Sequence, residues 1–77
     1  MPASDAELLD ENGDADKIKI AAKKRNAVAM ANLSMAFMSE GTMGLVYKAM
    51  TLAWLNGLVH LVIKALFKKY QHQDMVT

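Results

Sequence analysis

The run Asp10-Glu11-Asn12-Gly13-Asp14-Ala15-Asp16 places oxygen-bearing side chains densely enough to suggest calcium coordination. A helix–loop–helix calcium site needs glycine at its sixth position for the sharp turn and a bidentate glutamate at its twelfth. Counting from Asp10, those positions hold Ala15 and Ala21, so the segment reads as a solvated linker. His60 and His72 are the only histidines, cysteine is absent, and the nearest acid to either is Asp74, which leaves a zinc site short of a ligand. Ser34 and Ser39 have no histidine or lysine at helical spacing to serve as a general base, and no glycine-rich phosphate loop occurs. These patterns point to no catalytic residue, no metal and no cofactor. The chain reads as non-enzymatic, with no small-molecule substrate.

Lys17, Lys19, Lys23, Lys24 and Arg25 form a basic block that could meet phosphates of nucleic acid or of anionic lipid. The block lacks interleaved aromatic residues for base stacking, so a solvated helix face is the competing reading. The formal net charge of +1 hides an asymmetry: Asp5, Glu7, Asp10, Glu11, Asp14 and Asp16, six of the eight acids, precede the first basic residue. Such an acidic head beside a basic block reads as a mobile arm that can mask the block. Its acidity also differs from the basic, then apolar, start of a secretory signal, which favours an intracellular over a secreted protein.

The elements that must position these residues are helical. Ser4 and Glu7 have capping-box spacing and can start a short turn that Asn12 and Gly13 would end. From Asp16 to Ser39 neither Gly nor Pro interrupts an Ala- and Met-rich run, which predicts one long helix closed by Gly41. A second helix is expected from Thr42 to Leu55, stopped at Asn56-Gly57, and a third from Leu58 to Tyr70. No strand-like alternation and no internal repeat stand out. The expected layout is all-α: a mobile acidic arm at 1–15, a helical segment of about three helices at 16–71, and a loose tail at 72–77.

At 77 residues the chain can bury only about 60% of its unfolded surface. Without disulfides or a structural metal, oligomerisation or docking onto a larger assembly must supply the missing stability. On a helical projection Met30, Leu33 and Phe37 share one face, and Val28, Ala31, Met35 and Met38 a second, separated by narrow polar gaps at Asn32 and Ser34. A small core cannot take both. In the third helix Val59, Val62, Ile63, Leu66 and Tyr70 repeat at three and four opposite His60, Lys64 and Lys68. Val28, Met30, Leu33, Met35, Phe37, Met38, Trp54, Leu66 and Tyr70 are therefore the expected interface residues, and the partner is the chain itself or a larger protein complex. Between Asn26 and Ile63 the only formal charges are Glu40 and Lys48. That scarcity supports an alternative, a small membrane-embedded accessory subunit with its lysines at the interface.

The run from Asn26 to Phe37, then Trp54, then Leu66-Phe67-Lys68-Lys69-Tyr70, resembles the N-terminal helical part of Gag polyproteins from copia-type retrotransposons. The likeness spans about Asn26 to Asp74. It implies an all-α capsid-like domain that self-assembles around RNA, so RNA enters as a partner through the resemblance alone. Trp54 and Tyr70, at the positions of the family's aromatic anchors, would be core or interface residues.

Overall fold

The computed structural model describes residues 11–76, with side chains described for 13–71. The described residues contain four α-helices and no strand: α1 (Glu11–Lys23), α2 (Ala27–Ser39), α3 (Met43–Leu55) and α4 (Val59–Val76). The all-α class agrees with the sequence reading, and the helix count exceeds it by one because the expected long helix is two. Its break is Arg25, which takes a left-handed conformation (φ 55°) although it is not glycine. The Arg25 amide donates to the Ala22 carbonyl and the Asn26 amide to that of Ala21, at 3.0 and 2.9 Å, the bond pair of a Schellman cap. Asn26 then starts α2, its side-chain oxygen accepting from the Ala29 amide at 3.0 Å. A straight helix through this point would leave Ile18, Ala21, Ala22, Met30 and Ala31 without cover, whereas the turn buries all five.

The other two turns use the same bonds with glycine at the left-handed position, Gly41 (φ 80°) and Gly57 (φ 67°). Thr42 and Leu58 donate to Phe37 and Ala53, and Gly41 and Gly57 to Met38 and Trp54. An added Cβ at either glycine would meet nothing within 4 Å, so the requirement is conformational rather than steric. Arg25 tolerates the position with help: its guanidinium donates to the Asn56 carbonyl at 2.7 Å, tying the first turn to the end of α3. Arg25→Gly should therefore shift stability by less than about 1 kcal/mol. Relief of roughly 1 kcal/mol of left-handed strain offsets a hydrogen bond of similar worth. A denaturant titration showing a loss beyond about 2 kcal/mol would assign the guanidinium a much larger structural role.

These turns impose a period that the sequence reading missed. Helices α2, α3 and α4 begin at Ala27, Met43 and Val59, sixteen residues apart, and the left-handed residues fall at 25, 41 and 57. Each helix packs on the next and on the one after it, while α1 and α4 share no contact among the described residues. The core runs through this array, with Met30, Ala31 and Phe37 from α2, Leu45, Val46, Ala49 and Ala53 from α3, and Leu58 and Val62 at the start of α4.

Both expected boundaries move. Helix α1, described from Glu11, extends into the expected arm ahead of Asp16 and takes in Asn12 and Gly13. One glycine costs a helix only about 1 kcal/mol, and carboxylates suit a helix N-terminus. Residues 1–10, including the Ser4–Glu7 turn, lie outside the described residues. Helix α4 runs to Val76, past Tyr70 and through most of the expected tail, where neither Gly nor Pro occurs to stop it.

Candidate interaction surface

Ser34, expected in a polar gap, lies in the core. Its hydroxyl donates to the Met30 carbonyl one turn back at 2.9 Å, which satisfies the buried donor. Ser39 makes the same kind of bond to Ala36 at 3.1 Å. Among the described residues no three side chains of His, Cys, Asp or Glu gather as a metal site, and His60 is exposed.

The expected interface residues divide. Met30 and Phe37 are core residues, because α1, α3 and α4 together cover most of α2. Leu33, Met38 and Leu66 pack partly against that core, and Met35 is half-buried. Val28, Trp54 and Tyr70 lie on the surface, so the aromatic anchors are not core residues. Ala49 and Ala53, four apart and both buried, line the side of α3 that packs on other helices, and Trp54 stands on a different side. On α4 the packing against α2 buries Val62 but leaves Ile63 and Tyr70 exposed, although the three repeat on one face of the helix.

Tyr47, Leu55, Ile63 and Phe67, which the sequence reading did not mark as interface residues, are exposed large apolar residues as well. On α3, Met43, Tyr47 and Trp54 recur at spacings of four and seven on one side; on α4, Ile63, Phe67 and Tyr70 recur at four and three. The missed signal was the spacing of Gly41 and Gly57, which sets the two helices sixteen residues apart in sequence, so that Tyr47 and Ile63 hold equivalent positions in their helices, as do Trp54 and Tyr70.

The basic block also divides. Lys17 and Lys24 rim an open groove between α1 and α2 whose floor includes Ile20, Ala29 and Leu33. Lys19 and Lys23 are exposed on another side of α1, and Arg25 is engaged with Asn56. A second groove, between α2 and α4, is lined by Val28, Leu61, Lys64 and Lys68. No family model matches the chain, and searches of curated proteins and of solved structures return no match.

Proposed function

We propose that this chain is a non-enzymatic helical assembly module, which packs apolar helix faces against copies of itself or a larger complex. The observation that carries this reading is the concentration of Tyr47, Trp54, Leu55, Ile63, Phe67 and Tyr70 on the outward sides of two successive helices. Scattered single apolar residues are ordinary on a surface, but a grouped set of this size marks an interface. Aromatic side chains supply much area at low entropic cost, which suits such a role. The copia-type Gag likeness gives the specific version, a capsid-like module, with RNA as a partner through that likeness alone.

The competing membrane-subunit reading has less support, since no described helix is long and apolar enough to cross a membrane. Light scattering on the purified chain, with and without detergent, separates the two. The expected result is a species larger than one chain in plain buffer, unchanged by detergent. A compact monomer that resists concentration would defeat the assembly reading, and solubility only in detergent or lipid would transfer the case to the membrane.

A further inference from the structure

Along the groove between α1 and α2, Lys17 and Lys24 stand on the rim and Ile20, Ala29 and Leu33 on the floor, with no acid in the lining. Ile20 is 53% exposed, so the floor is open to an apolar side chain from outside. Lys17 and Lys24 are seven residues apart on one face of α1, about 10 Å along its axis, with Ile20 between them. Such a surface suits an apolar side chain flanked by two carboxylates at the same separation. The run Glu7-Leu8-Leu9-Asp10 has that pattern, its acids about 10 Å apart when extended, and residues 1–10 contain no lysine or arginine.

Reach decides between a chain's own groove and that of another copy. Helix α1 is described from Glu11, and Lys17, Ile20 and Lys24 lie about 9, 14 and 20 Å further along it. To enter this groove, the segment before Glu11 would have to reverse direction. The tightest reversal, a turn over Leu8 to Glu11, leaves its two ends about 7 Å apart. Leu8 then returns only to the level of Glu11, short of Lys17, and Leu9 lies within the turn. The groove of a second copy is under no such limit.

We infer that the acidic segment 5–10 of one copy docks in the α1–α2 groove of another, a contact that rests on the assembly reading and adds to the exposed aromatic residues of α3 and α4. A leucine of the Leu8-Leu9 pair covers Ile20 and Leu33, and Glu7 and Asp10 meet Lys17 and Lys24. Opposite charge selects this occupant over a neutral apolar segment and makes the contact sensitive to salt. Each copy offers one segment and one groove, so the contact is head-to-tail and closes only where the rotation between copies allows.

The chain has no cysteine, which permits a direct test. Full chain carrying Ala6→Cys, mixed under mild oxidation with full chain carrying Asn32→Cys in the groove lining, is expected to give a disulfide-linked pair of the two different chains. Thr51→Cys, exposed on α3, should give at least tenfold less in place of Asn32→Cys. Lys17→Glu with Lys24→Glu in the groove chain should lower the yield at least tenfold, and Leu8→Ser with Leu9→Ser in the other chain should do the same. So should about 1 M salt, where the screening length falls to about 3 Å. Lys19→Glu with Lys23→Glu, the same change of charge on another side of α1, should leave the yield unchanged. Glu7→Lys with Asp10→Lys should restore the yield against the charge-reversed groove, which also shows that this groove still folds. Ile20→Asp provides a second groove variant should the charge reversal lose its helix content by circular dichroism. Equal yields from the groove and control variants, with a mass by light scattering still above one copy, would overturn this docking and leave an assembly module standing. A monomer that gives no mixed pair would overturn both, as would a monomer that uses Lys17 and Lys24 to bind phosphatidylserine vesicles.

Discussion

Phe37→Ala is expected to remove most or all of the folded state at room temperature. Phe37 is 2% exposed and is the only aromatic residue in the described core, where Ala21 and Ala53 hold the equivalent positions of α1 and α3. Truncating such a ring costs about 3–5 kcal/mol, because the cavity adds to the lost transfer energy. A chain of this size has only about 4–10 kcal/mol in total. The informative control is Phe67→Ala, since Phe67 is exposed and touches no core position in the register. Thermal melts followed by circular dichroism, at concentrations below association, should show a collapse for the first variant and an unchanged midpoint for the second. Equal effects would mean that the buried and exposed faces are assigned wrongly.

Asp14→Met should do the opposite and raise the melting temperature. Asp14 is 2% exposed and stands at the position where the other helices bury Met30, Val46 and Val62. Its Oδ1 has no hydrogen-bond partner among the described residues. A buried unsatisfied polar atom costs about 1–3 kcal/mol, more than the roughly 0.3–1 kcal/mol that a carboxylate gains near a helix N-terminus. Replacement by the methionine that α2 uses there removes the first cost and adds apolar burial. The expected gain of about 2 kcal/mol corresponds to about 8–16 °C in a domain of this size. A lower melting temperature would show that the carboxylate is satisfied by a group outside the described residues.

What could be read in advance follows from where the controlling forces lie. The all-α class was legible because Ala- and Met-rich runs without alternation leave no other regular structure. Two turns were legible because Gly41 and Gly57 are the residue type that left-handed backbone selects. The third was not, since Arg25 is held in that conformation by the packing of α1 and α2 on α3, and no local property of arginine reports it. Ser34 misled for a similar reason: its hydroxyl is satisfied by its own helix, so a polar residue sits in the core at little cost. Trp54 and Phe37 look alike as large apolar residues, and only the packing separates them: α2 is covered by three helices, whereas the side of α3 that carries Trp54 is exposed. The exposed surface itself became readable once the sixteen-residue period was seen, because Tyr47 and Ile63 then occupy positions that hold buried or half-buried alanines earlier in the chain.

The same period bears on how the chain folds. Among the described residues every packed helix pair is either adjacent or separated by one intervening helix, and α1 and α4 do not meet. Contacts are therefore local in sequence, and no pairing has to wait for the closure of a long loop. A search confined to neighbouring segments can begin at any of the three turns, and each added helix finds its docking site already assembled from the two before or after it.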